Sequence, residues 1–464
     1  MTSKIRTSAD TEDVKGSFRD PSGSLFLKDG TLYRRISSDY RVHWEQAENS
    51  GLLGTLIRER LLIPHEVLED ASDIDATAYK IIRPTEIPFI SYPYEWCFSQ
   101  LKDAALLTLA VQKRALEHGM ILKDASAFNV QFLDDAPVFI DTLSFEKYEE
   151  GLPWVGYRQF CQHFLAPLAL MSRTDMRLNS LFQIYLDGIP LDLASHLLPR
   201  RTFFSPHILF HIHVHAKSQK RFAATRSVSK YRISRHNLLA LMAGLESAVR
   251  AMKLTESHTE WGNYYEETNY SKDSFQDKSR IVTEFLDIAR PTTLWDMGAN
   301  TGEFSRLASK RGIHTVAFDN DPIAVEKNYV RMRRAGEKHL LPLLVDFSNP
   351  SPALGWEHAE RMSLEERGPA DALMALAVVH HLAISNNVPL PRIAEYFSRS
   401  CRDLIVEFVP KSDTQVQKLL STRKDVFPNY TEEGFEKAFD LFFSIRSKRN
   451  IVGSQRVLYH MVKR

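Results

Sequence analysis

The sequence predicts an α/β protein in two domains, with an open, mainly parallel sheet in the C-terminal half and a mixed α+β domain before it. Three observations carry this. The stretch Leu294-Trp295-Asp296-Met297-Gly298-Ala299-Asn300-Thr301-Gly302 runs an apolar strand into a glycine-bracketed turn, after which Phe304, Leu307 and Ala308 recur at helical spacing. The apolar runs at 315–318 and 340–345 end in Asp319 and Asp346, so three strands in succession finish in or beside an acid. Near the N-terminus, two apolar runs at 24–27 and 31–36 flank Lys28-Asp29-Gly30, and Asp-Gly between such runs signals a hairpin.

The glycine turn points to a ligand. Glycine is needed where backbone takes a positive φ or approaches a ligand closely, and the helix N-terminus beyond it offers free N–H groups. Asp319 lies 23 residues after Asp296, where an acid at the end of a second strand grips a ribose hydroxyl pair. A nucleotide-like ligand is therefore expected. The combination Asp296-x-Gly298-x-Asn300-x-Gly302, Asp319-Asn320-Asp321-Pro322-x-Ala324-Val325-x-x-Asn328 and Asp346 resembles the class I S-adenosylmethionine-dependent methyltransferases over residues 256–464. The resemblance implies a Rossmann-like seven-stranded sheet and S-adenosylmethionine as cofactor. It places Asp296, Gly298 and Gly302 along the methionine part, Asp319 on the ribose and Asp346 toward the adenine. Asn300 stands where many members carry glycine; asparagine tolerates left-handed backbone, so the cofactor loop is expected intact.

Composition frames the rest. The chain has 464 residues, 44% of them apolar, enough for two or three domains with real cores. No run approaches the about 18–20 apolar residues of a membrane span, and residues 1–19 lack the apolar stretch of a secretory signal, so a cytoplasmic protein is expected. Cys97, Cys161 and Cys401 are too few and too far apart for a disulfide frame or a Cys-rich metal site. A net charge of +1 is uninformative, but its distribution is not: between Leu193 and Leu245 there is no Asp or Glu, against nine Lys and Arg. Nothing in the sequence sets an oligomeric state.

In chain order, residues 1–20 read as a loose terminus and 21–255 as the α+β domain, including the basic helical part 193–245. After the hairpin, 44–62 has helical character, 79–82 and 88–92 read as strands, and 101–118 as an amphipathic helix interrupted by Thr108 and Gln112. Asp124-x-x-x-x-Asn129, with Asp141 ending a strand 12 residues later, resembles the catalytic loop and metal-binding acid of kinase-like folds. The resemblance implies that Asp124 orients an acceptor while Asn129 and Asp141 hold Mg²⁺. Arg34 and Arg35 stand where an ATP-pairing Lys belongs and no glycine-rich phosphate loop is found, so a remnant scaffold is expected before live phosphotransfer. His207, His211 and His215 share helical spacing, but the interleaved apolar residues predict a packed segment rather than a metal site. The acid-free surroundings suit an anion, a nucleic acid or acidic lipid face, or the acidic side of the other domain.

The C-terminal domain is placed at 256–464. Trp261, Tyr264, Tyr265 and Tyr270 cluster just before the cofactor loop, as a lid lining the substrate pocket or as a helix packed on the sheet. Lys278 is expected in solvent, or else beside the cofactor carboxylate. A fourth strand at 372–379 leads into His380 and His381, either of which suits a general base at neutral pH. Strands at 404–406, 442–445 and 457–461 complete the sheet, the last two as an antiparallel pair. The stretch 375–382 has no Asn-Pro-Pro-Tyr element, which disfavours nucleic-acid base methylation and points to a small-molecule or glycan-type acceptor. The segments LWDMGANTGEFS, ALAVVHHL and VEFVPKSD give the whole chain a resemblance to NoeA-type nodulation methyltransferases of rhizobia, which implies a role in host-specific nodulation. Two other functions are compatible with the same residues: a regulatory protein with both catalytic units inactive, and an RNA-directed methyltransferase using the basic segment.

Overall fold

The structure is a computed structural model that describes residues 11–69, 74–75, 77–217, 232–254, 272–421 and 424–464. It divides into two compact units, one of Met1–Thr255 with Leu354–Arg361 and one of Glu256–Ala353 with Met362–Arg464.

The first unit opens with five antiparallel strands, β1 (Thr11–Asp13), β2 (Gly23–Lys28), β3 (Thr31–Ile36), β4 (His65–Leu68) and β5 (Lys80–Pro84), in the order β1-β2-β3-β5-β4. Asp29 and Gly30 turn the β2–β3 hairpin with φ of 50° and 77°, as their residue types predict. The expected loose terminus is ordered from Thr11 on: β1 pairs with β2, and the Ser17 hydroxyl accepts the Leu25 N–H at 3.0 Å. The strand expected at 88–92 does not form. Pro88 and Pro93 withhold donors there, and the Ser91 backbone is satisfied on both sides by the amide of Gln131, at 2.9 and 2.8 Å. Helices Arg41–Asn49 and Leu52–Arg58 fill the connection from β3 to β4.

Helix Phe98–Glu117 is buried on most of its faces, which explains its broken apolar stripe. Thr108 bonds the Ala104 carbonyl at 2.9 Å, and Gln112 accepts the Leu122 N–H at 2.7 Å. Four short strands follow, β6 (Met120–Leu122), β7 (Val130–Leu133), β8 (Ala136–Phe139) and β9 (Phe145–Lys147), pairing β6 with β9 and β7 with β8. A five-stranded antiparallel sheet with helices between its third and fourth strands, then a long helix and two short strand pairs, is the kinase-like order of elements.

The second unit is a seven-stranded sheet of β10 (Thr293–Met297), β11 (His314–Asp319), β12 (Leu340–Leu344), β13 (Ala370–Ala375), β14 (Cys401–Phe408), β15 (Phe443–Asn450) and β16 (Val457–Lys463). Their order is β12-β11-β10-β13-β14-β16-β15, parallel except for β16, which is antiparallel to both its neighbours. This is the class I methyltransferase sheet. β13 is shorter than the sequence suggests and ends at Ala375, because Ala377 takes a φ of 55° that breaks the ladder. His380 and His381 therefore begin a helical turn rather than end a strand.

One face of the sheet is covered by helix Lys272–Ala289, whose Ile281, Val282, Phe285 and Leu286 join Leu294, Ala372, Met374 and Ile405 in one cluster. The pair β14 and β16 carries an aromatic cluster centred on Phe435, whose ring lies 4.2 Å from Phe439 and 5.2 Å from both Phe408 and Tyr459. Strand order reverses between β10 and β13, so a crevice opens at the carboxyl ends of β10, β11, β12 and β13. Phe435 is fully buried, so Phe435→Ala should cost about 3–5 kcal/mol of stability. Urea unfolding checks this, and a cost under about 1 kcal/mol would show that the cluster relaxes around the void.

Candidate functional site

The crevice holds a cavity of about 280 Å³, lined among others by Asp296, Gly298, Asn300, Asp319, Asp346 and His381. Every cofactor-loop residue singled out in the sequence lines it except Gly302, which shapes the loop from behind.

Gly298, Asn300 and Gly302 all take positive φ, at 75°, 49° and 78°. A Cβ on Gly298 would lie 2.4 Å from Val378 Cγ2, and one on Gly302 would lie 2.5 Å from Asn328 Nδ2 and 2.7 Å from Arg306 Nη1. Neither place has room for a side chain. The amides of Gly298 and Ala299 both donate to the Phe318 carbonyl at 2.9 Å, tying the turn to β11. Asn300 N–H donates to Asp319 Oδ2 at 2.7 Å, and Asp321 N–H to Asp319 Oδ1 at 2.9 Å. One carboxylate therefore fixes the loop and faces the cavity.

Burial decides the ionisation of the two inner acids. Asp319 is pushed up to about 6 by burial, against the pull of the backbone amides that bond it. Asp296 is pushed up to about 7, first by burial and further by the charge of Asp319, while Ser305 Oγ donates to it at 2.5 Å. Asp346 is exposed and accepts from the Ser348 amide and hydroxyl at 2.8 and 2.7 Å. Beside it, Phe347 lines the cavity and meets Phe318 edge-on at 5.7 Å.

Three features sharpen or go beyond the expectations from sequence. Arg306, 2% exposed, donates to the carbonyls of Thr301 and Gly302, to Asn328 Oδ1 and to both oxygens of Glu337. Asn328 in the quoted spacing was the available signal that something clamps the loop. Lys278 is not in solvent: it is 3% exposed, lines the cavity, and donates to Glu407 at 2.7 Å. Glu407 also lies 3.7 Å from Arg456, which bonds Asp413 at 2.8 Å. The two histidines differ. His381 lines the cavity, whereas His380 is buried with its ring 4.1 Å from that of His381. Burial, then the nearby charges of His381, Arg456 and Lys278, hold His380 well below its ordinary value and therefore neutral. The base expectation narrows to His381. Trp261, Tyr264, Tyr265 and Tyr270 lie outside the described residues.

In the first unit the kinase-like trio does converge. Asp124 accepts from Ser126 N–H and from Gln159 at 2.9 and 2.7 Å, and Asn129 approaches Ser144 Oγ at 3.5 Å. Asp124 is pushed up by burial and then by the charge of Asp141. Asp141 bonds Ser144 and pairs with Arg34 at 2.6 Å, and Arg34 also reaches Asp20 at 3.0 Å. Burial alone would raise Asp141, but the Arg34 guanidinium overrides it and holds the carboxylate below its ordinary range. Among the described residues no three His, Cys, Asp or Glu are grouped to hold a metal ion. His211 and His215 instead pack on Tyr157, the first bonded to its hydroxyl at 2.7 Å and the second stacked at 5.2 Å.

No protein-family model matches the chain. It is 36% identical over 461 residues to nodulation protein NoeA of Rhizobium meliloti (strain 1021), covering 96% of this chain and 95% of the relative. Among solved structures, the N-methyltransferase NodS from Bradyrhizobium japonicum WM9 matches at 10% identity over 42% of this chain and 98% of its own, with a TM-score of 0.32. Magnesium protoporphyrin IX methyltransferase from Synechocystis PCC 6803, with bound S-adenosylhomocysteine, matches at 18% over 44% and 93%, with a TM-score of 0.31. The bifunctional kinase-methyltransferase WbdD matches at 13% over 45% and 43%, with a TM-score of 0.30. None of these structural likenesses assigns an activity to this chain.

Replacing Arg306 by Gln should cost about 3 kcal/mol, because Glu337 and the loop carbonyls lose a buried charged donor. Urea unfolding measures it; a cost near zero would mean that the loop holds itself.

Proposed function

Because the chain belongs to the family of nodulation protein NoeA, we propose that it transfers a methyl group from S-adenosylmethionine to a small-molecule or glycan-type acceptor in host-specific nodulation. The observation that carries the methyl-transfer reading is the buried Asp319 carboxylate, held by the Asn300 and Asp321 amides at the edge of the cavity. The residues fit the cofactor. Gly298 brings bare backbone to the cavity wall, a carboxylate with lone pairs to spare meets the ribose hydroxyls, and Phe347 beside Asp346 gives an adenine an aromatic wall.

When bound, the cofactor supplies an electrophilic methyl on a sulfonium, with its own leaving group. The protein's part is alignment and proton removal. Lys278, neutralised by Glu407, is placed to meet the cofactor carboxylate without adding an unpaired buried cation. His381 takes the proton of the acceptor hydroxyl or amine, and the neutral, packed His380 fixes the plane of its ring. Ala377 and Val378 line the cavity where a base-amino methyltransferase would place polar acceptors.

Asp319→Ala should weaken S-adenosylhomocysteine binding about ten- to hundredfold in calorimetry, since two charge-assisted hydrogen bonds are lost. Unchanged affinity would remove the ribose role. His381→Ala should lower turnover about a hundredfold or more with cofactor affinity unchanged, read with labelled S-adenosylmethionine and fractionated cell material. Full turnover would exclude the base role.

Binding should also depend on pH. Protonating Asp319 removes the acceptor, so cofactor affinity should fall as pH drops through about 6, nearing tenfold per unit below it. The folded-state value lies above the ordinary carboxylate value of 3.8, so the native state binds this proton more tightly than the unfolded chain. Through this group, acid therefore stabilises the fold in the same window, and lost affinity there is not unfolding driven by Asp319. Flat affinity between pH 7 and pH 5, two points set by about one unit either side of that transition, would contradict the assignment.

A further inference from the structure

We propose that the face of the first unit built by residues 197–217 docks on the surface of an anionic lipid bilayer. This goes beyond the methyl-transfer reading and does not depend on it. The chain as a whole balances 59 Lys and Arg against 58 Asp and Glu, yet the run from Leu193 to Leu245 holds nine basic residues and no acid. Three of the nine, Arg200, Arg201 and Lys217, fall within 197–217 and are exposed.

Phe204 is 90% exposed, Phe210 62% and Val214 45%. Phe210, Val214 and Lys217 stand at helical spacing on the outer side of a helical segment whose Ile208, Ile212 and Ala216 are buried. Phe203 is stacked on His213 at 3.9 Å, and Lys217 Nζ lies 5.9 Å from the Phe203 ring, so the preceding turn and this helix share one surface. Arg200 and Arg201 begin that turn. Projecting aromatic and aliphatic side chains beside Arg200, Arg201 and Lys217, in a run of sequence without an acid, match insertion at the headgroup boundary together with attraction to anionic lipid. A nucleic acid would use the cations but gains little from Phe204, Phe210 and Val214, and a chain that docked only on acidic proteins would ignore the vesicles. No helix among the described residues is long and apolar enough to cross a membrane, so the contact is one of surface docking.

The test is co-sedimentation of the full chain with vesicles of phosphatidylcholine, with and without phosphatidylglycerol. Binding is expected only with phosphatidylglycerol, weaker at raised salt. Phe204→Ser with Phe210→Ser should reduce it about tenfold or more with an unchanged melting midpoint, since neither ring is buried. Arg200→Gln with Arg201→Gln should weaken binding and flatten its salt dependence. The proposal is overturned if the chain ignores anionic vesicles, if the double Phe variant partitions like the parent, or if single-stranded RNA competes the vesicles away through the same residues.

Discussion

Absence of space under the loop between β10 and β11 governs the second unit. A side chain at Gly298 would collide with Val378, and one at Gly302 with Asn328 and Arg306. Both residues, with Asn300 between them, need left-handed backbone. Once the turn is seated this way, its amides point at β11, and Asp319 accepts the one from Asn300 at 2.7 Å. The same seating leaves the cavity at the carboxyl ends of the strands, where the reversal of strand order already makes a crevice.

Two buried ionic devices support that geometry. Arg306 gathers the carbonyls of the turn and the side chain of Asn328, with Glu337 balancing its charge. Lys278, Glu407, Arg456 and Asp413 form a chain of alternating charge that reaches the cavity through Lys278. Each charge is paired, as burial requires. His380 sits near two of these cations and is kept neutral, which leaves His381 as the ring that meets the cavity.

Much of this was legible in the sequence because it depends on local chemistry. Gly298, Asn300, Gly302 and the acids that end strands announce backbone conformation and strand ends directly, and the Asp-Gly hairpin does the same in the first unit. What escaped depends on distant partners. The strand expected at 88–92 failed because Gln131, 40 residues away, satisfies its backbone. The end of β13 was missed because nothing in the residue type of Ala377 announces a φ of 55°. Lys278 was expected in solvent or beside the cofactor carboxylate and Arg306 was not singled out, since the acids that bury them arrive from Glu407 and Glu337. In the first unit Asp124, Asn129 and Asp141 lie close together, as their spacing suggested, and only the structure shows Arg34 held against Asp141.

The proposed function stands on a nucleoside cofactor in the β10–β13 crevice, with its ribose on Asp319. A crystal structure of the chain grown with S-adenosylhomocysteine tests it most directly. The ribose hydroxyls are expected within hydrogen-bond distance of Asp319, and the adenine beside Asp346 and Phe347. Density for the ligand elsewhere, or an adenosine that leaves Asp319 untouched, would contradict it.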